Sequence, residues 1–198
     1  MMCFRKILVI ITMSTLSMLS YMSSSWALPT CSGSHYIYNE AHCDFTEYYS
    51  DTKIIYGKGE VKKRRRHANW IFYWANGKTR EVGYFNVGIR NGEWLSYNRQ
   101  GVLIKKLNYN NNKKEGLAFT YWSSGELKSK GKYVNGKEEG HWVNYQYRNG
   151  SIEFEGDFAR GKKEGTWTYY LKKNISMKGD YKNDKRDGVW FYYNLKGL

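Results

Sequence analysis

The feature that most constrains this chain is a repeat of about 24 residues. A Gly-x-Trp signal, or its remnant, begins at Gly92, Gly116, Gly140, Gly165 and Gly188, at intervals of 24, 24, 25 and 23. An earlier unit begins at Ala68, and a degenerate one at Cys43. The Trp slot holds Phe45, Trp70, Trp94, Ala118, Trp142, Trp167 and Trp190. Three residues on, a Tyr recurs at Tyr48, Tyr73, Tyr97, Tyr121, Tyr145, Tyr170 and Tyr193. A fixed period of this length marks a stack of supersecondary units, none of which buries its apolar face alone.

The text of each unit reads as strand, tight turn, strand, tight turn. Inner turns fall at Asn76-Gly77, Gln100-Gly101, Ser124-Gly125 and Asn149-Gly150. The second segment ends with an aromatic: Phe85, Tyr109, Tyr133, Phe158 or Tyr181. A second turn closes the unit, as in Asn135-Gly136-Lys137-Glu138-Glu139-Gly140. Asn and Gly tolerate the positive φ that hairpin turns demand. Aromatics make up 18% of the chain, with 20 Gly and one Pro, so strands and turns are favoured over helices. The predicted fold is all-β: an elongated, single-layer antiparallel meander of tandem hairpins. Trp and Tyr slots lie an odd number of residues apart, which places them on opposite faces of a strand. Both faces then carry aromatics, and the Trp and Tyr slots (Trp70, Trp94, Trp142, Trp167 and Trp190; Tyr97, Tyr145 and Tyr170) are the structural repeat residues.

With its Gly-x-Trp-x-x-Tyr, turn, and closing Gly-Lys-x-x-Gly, the sequence resembles the MORN repeat in its bacterial variant. The clearest matches are Gly140 to Gly165 and Gly165 to Gly188, and the resemblance spans residues 43–198. Departures are Ala118 for Trp, Leu107 for the strand Gly, Asn174 for a turn Gly, and the missing leading Gly of the first unit. The resemblance implies a non-enzymatic array that contacts proteins or membrane lipids. An antitoxin-like role is a further implication, since some bacterial members carry that label.

The first 27 residues differ from the rest. Arg5 and Lys6 precede an apolar run from Ile7 to Met13, and Ser25-Trp26-Ala27 is a small-x-small cleavage signal. This is the pattern of a secretory signal peptide over residues 1–27, followed by a cap segment over 28–42 and the array over 43–198. The expected location is therefore secreted or periplasmic. Cleavage removes Cys3 and leaves Cys31 and Cys43, which suggests one disulfide in an exported chain. A zinc site with His35 and His42 is the competing reading, but the spacing fits no familiar finger.

No catalytic constellation is present, and neither an enzymatic activity nor a cofactor is expected. Glu115, Glu138, Glu139, Glu164 and Asp187 lie beside Lys113, Lys114, Lys162, Lys163 and Arg186 in the inter-unit turns, which reads as mixed solubilising charge. The whole chain carries a formal charge of +14, which attracts anionic partners. The run Lys62-Lys63-Arg64-Arg65-Arg66 has no acid within it and is the candidate contact for an anionic surface. The expected function is a scaffold for an unidentified protein partner at the cell envelope or outside the cell. Binding of anionic lipid or glycan is the alternative, and export argues against nucleic acid.

Overall fold

The computed structural model describes residues 42–194. The chain folds as the repeat predicts, into one open antiparallel sheet with no helix among the described residues. The N-terminal half contains β1 (His42–Tyr48), β2 (Ile55–Lys62), β3 (Arg65–Tyr73), β4 (Thr79–Asn86), β5 (Ile89–Tyr97), β6 (Leu103–Asn110) and the stub β7 (Lys113–Lys114). The C-terminal half contains β8 (Gly116–Tyr121), β9 (Leu127–Val134), β10 (Lys137–Tyr145), β11 (Ile152–Ala159), β12 (Lys162–Leu171), β13 (Asn174–Lys182) and β14 (Lys185–Tyr192). Strands pair in chain order, and β7 and β8 together occupy one strand position beside β6. The expected leader and residues 28–41 of the expected cap segment lie outside the described residues.

Two kinds of turn alternate. Four inner turns are short loops that end on a left-handed glycine, such as Gly77, whose N–H donates to Trp74 O at 2.9 Å, whereas β12 and β13 are joined by the two left-handed residues Lys172 and Lys173. Inter-unit turns have two left-handed residues in succession, as at Asn135 and Gly136, with φ of 51° and 84°. That is the twist a two-residue hairpin needs to match its strands.

The leading glycine of Gly-x-Trp has a separate task. On the side facing the previous strand, Trp94 pairs with Gly83 but Asn91 pairs with Tyr84, so Gly92 and Glu93 are extra. Gly92 adopts a φ of 70° in this bulge, and Ala68 holds the same conformation at 58° in the unit before. Bulges of this kind re-aim side chains. Here the bulge lays the indole flat across the glycine of the strand before it. A Cβ on Gly83 would meet Trp94 at 2.2 Å, and one on Gly156 would meet Trp167 at 2.4 Å. Except at Trp94, whose indole N–H is buried without a partner among the described residues, the indole N–H donates to the next carbonyl: Trp70 to Glu60 O at 2.7 Å, Trp142 to Lys132 O at 3.2 Å and Trp167 to Asp157 O at 3.1 Å.

The core is thus a ladder on one face, here the front. Trp70, Trp94, Trp142 and Trp167 are buried. Trp94, Trp142 and Trp167 are each clamped edge-on by aromatics from both strands beside them, and Trp70 by Phe85 alone. Trp94 lies 4.9 Å from Phe85 and 6.2 Å from Tyr109, and Trp167 lies 5.1 Å from Phe158 and 6.0 Å from Tyr181. Edge-to-face pairs at these distances are favourable. Tyr73, Tyr97, Tyr145 and Tyr170 fall on the back face by alternation. There Tyr145 lies under Lys130, and Tyr170 donates to Glu155 Oε1 at 2.6 Å.

Candidate functional site

Three rows of side chains run across the front face. The central row alternates a ring with a glycine: Phe45, Gly59, Trp70, Gly83, Trp94, then Trp142, Gly156, Trp167, Gly179, Trp190. The row nearer the inter-unit turns sets an aromatic opposite a charged residue. Phe85 faces Arg90, Tyr109 faces Lys114, Tyr133 faces Glu138, Phe158 faces Lys163 and Tyr181 faces Arg186. The third row begins and ends with rings, Phe72 and Phe154–Tyr169, but is polar between them: Glu81, Ser96, Lys105, Thr120, Ser129 and Asn144.

The charges of the turn row are not the dispersed solubilising charge that the sequence suggests. Four residues before its Trp, each cation folds back over the ring. Arg90 sits 4.0 Å from the Trp94 ring centre, Lys163 4.1 Å from Trp167, and Arg186 4.2 Å from Trp190. The acids have structural partners too. Glu115, Glu139 and Glu164 accept the N–H of Asn135, Arg160 and Asn183 at 2.8, 2.8 and 3.0 Å, capping the turn of the next unit. Register across strands, invisible in the linear text, makes these contacts.

The basic run is divided in the same way. Lys63 and Arg64 form the turn between β2 and β3, with φ of 50° and 58°. Arg65 is exposed and its stem packs against Gly88. Arg66 leaves the tip altogether. It makes two bonds to the Glu47 carboxylate, at 3.0 and 2.6 Å, and lies 5.1 Å from Trp70 and 4.9 Å from Phe72. Nearby, burial and the charges of His42 and Lys62 hold the His67 imidazole below its ordinary pKa. Cys43 is buried and disulfide-bonded, whereas Cys31 lies outside the described residues. Among the described residues no group of three His, Cys, Asp or Glu could hold a metal ion.

The central row breaks once. Between Trp94 and Trp142 it reads Leu107, Ala118, Gly131. Two of the departures from the repeat fall at one place: Leu107 fills the glycine slot that the missing indole at 118 would cover. One ring is therefore absent from the ladder. In its place is an open cavity of about 290 Å³ bounded by Trp94, Tyr109, Tyr133 and Trp142, with Leu107 and Ala118 at the break in the row. Ser96, Lys105 and Thr120 of the polar row line one side. On the turn side, Lys114 lies 4.5 Å from the Tyr133 ring centre and donates to its hydroxyl at 3.4 Å. Tyr133 donates in turn to Glu138 Oε1 at 3.0 Å, and burial together with that bond raises its pKa well above the ordinary phenol value. Arg90 bonds Glu81 at 3.1 Å across the other end. Neither the cavity nor its walls can be read from the repeat slots one at a time.

The fold and face define an open, single-layer sheet of tandem hairpins with an aromatic ladder interrupted once. Searched against models of protein families and against curated proteins, the chain matches none.

Proposed function

We propose that this chain is a non-enzymatic, exported repeat scaffold of the MORN type, which binds a partner protein at the cell envelope or outside the cell. The observation that carries this reading is the front face itself. Among the described residues the sheet has no second layer, so the cations and hydroxyls that cover the buried rings, and the cavity at Ala118, face outward toward a partner. Aromatic and Arg-rich surfaces are enriched in protein interfaces. Glu115, Glu139 and Glu164 cap turns, and Glu47 and Glu81 pair with Arg66 and Arg90, so these carboxylates serve the sheet. Crosslinking and mass spectrometry of the native envelope fraction tests the proposal. A recurrent protein crosslinked through Lys105 and Lys114 supports it; crosslinks confined to the back face contradict it.

A second reading keeps the exposed part of the basic run, Lys63, Arg64 and Arg65, as a contact for anionic lipid or glycan. Salt-sensitive co-sedimentation with anionic vesicles tests it. The informative variant replaces these three alone, because Arg66 belongs to the packed face.

A further inference from the structure

We infer that the break in the ladder at Ala118 is a binding site for one aromatic side chain, Trp or Tyr, presented beside a carboxylate by a partner protein. The inference rests on the scaffold reading and names the chemistry of its contact. The sheet itself shows what its ring slots accept. At Trp94 and Trp167 a planar ring lies between two edge-on aromatics and beneath a cation: Trp94 between Phe85 and Tyr109 beneath Arg90, and Trp167 between Phe158 and Tyr181 beneath Lys163. At 118 the clamps and the cation remain, in Tyr109, Tyr133 and Lys114, while the ring is gone. Leu107 takes part of the vacated space, yet about 290 Å³ stays open. That exceeds the roughly 150 Å³ in which an engineered apolar cavity holds benzene.

Charge chooses the neighbour of the ring. Arg90 is neutralised by Glu81, but Lys105 and Lys114 make no ion pair among the described residues. The rim is therefore cationic, and a carboxylate flanking the incoming ring meets it favourably. A sugar would also stack on Trp94 or Trp142. The walls, however, stand as edge-on clamps for a flat ring, so the aromatic side chain is favoured.

The test is a titration of the isotopically labelled full chain followed by its amide NMR spectrum. The probes are indole, indole-3-acetate and glucuronate. Indole-3-acetate is expected to give saturable shifts at Leu107, Ala118 and Thr120. Lys105→Ser should weaken that probe several-fold and leave indole unaffected. The double variant Leu107→Gly/Ala118→Trp supplies the missing ring internally; it should keep a dispersed spectrum and lose both responses. The inference is overturned by absence of saturable shifts, by shifts that survive in the folded double variant, or by a response to glucuronate without one to indole. A partner whose crosslinks persist unchanged in the double variant would leave the scaffold standing and overturn the site.

Discussion

Gly131 lies directly beneath the indole of Trp142, so close that a Cβ on the glycine would stand 2.1 Å from Trp142 Cδ2. The same relation recurs between residues spaced 11 apart at Gly59 and Trp70, Gly83 and Trp94, Gly156 and Trp167, and Gly179 and Trp190. Absence of a side chain is the requirement at these strand glycines, not freedom of φ. Gly131→Ala must displace a buried indole, and the expected loss of stability is about 2 kcal/mol or more. Gly136→Ala meets nothing within 4 Å and pays only for its φ of 84°, about 1 kcal/mol. Urea unfolding of the two variants separates the effects, and equal losses would count against the stacked geometry.

Leu107 and Ala118 occupy the same 11-residue pair and depart from it together. Substitutions at the two positions are expected to couple. Ala118→Trp alone forces an indole against Leu107 and destabilises by about 1–3 kcal/mol. Adding Leu107→Gly restores the regular slot and recovers that loss, with an interaction energy of at least about 1 kcal/mol. A double-mutant cycle in denaturant measures it. Strict additivity would mean that the two side chains do not share one space.

Lys163 tests the cations that lie over the rings. Its ammonium is 4.1 Å from the Trp167 ring centre and 4.9 Å from that of Tyr181. Lys163→Ala is expected to lower stability by about 0.5–1 kcal/mol. The adjacent, exposed Lys162 should tolerate the same change within about 0.5 kcal/mol. Thermal melting of both variants decides whether the charge row is packing or decoration.

His67 gives a pH dependence whose sign is fixed. Burial comes first among the causes that lower its pKa, followed by the charges of His42 and Lys62, with Glu60 opposing. Its Nδ1 accepts the N–H of Val87 at 3.3 Å, which requires that nitrogen to be unprotonated. The unfolded chain binds a proton near pH 6.5 while the folded chain resists it. The stability contributed by the neutral ring is therefore complete above that pH and is lost as pH falls through the lower folded pKa. His67→Gln should flatten this part of the stability profile between pH 7 and 5. NMR titration of the ring should place its midpoint below 6.5, and a midpoint above that value would contradict the burial described.

Much of the fold is legible in the sequence because its period is short and its turns have chemical signatures. Asn135-Gly136 announces a hairpin, and Trp142 and Tyr145 announce opposite faces. The rest depends on register. Nothing in the linear text places Glu115 against the N–H of Asn135, or Arg66 against Glu47, since each contact joins residues about 20 apart across strands. The candidate site shows the same boundary. Ala118 and Leu107 are each visible as departures, but that they are one departure follows only from the sheet. The five-residue basic run also looks uniform on paper, whereas the fold sends Arg66 to the rings and leaves Lys63 and Arg64 to make the turn.

A one-dimensional ladder of indoles over glycines holds this sheet together. It is tested most directly by residue-resolved hydrogen exchange on Trp142→Ala and Trp190→Ala. Trp142 is buried in the interior of the array, while Trp190 is partly exposed on the last strand. Trp142→Ala is expected to cost about 3–5 kcal/mol, with protection falling most in β9 to β12. Trp190→Ala should fray β13 and β14 and leave β2 to β5 protected as before. Equal and uniform loss of protection along the whole chain in both variants would contradict it.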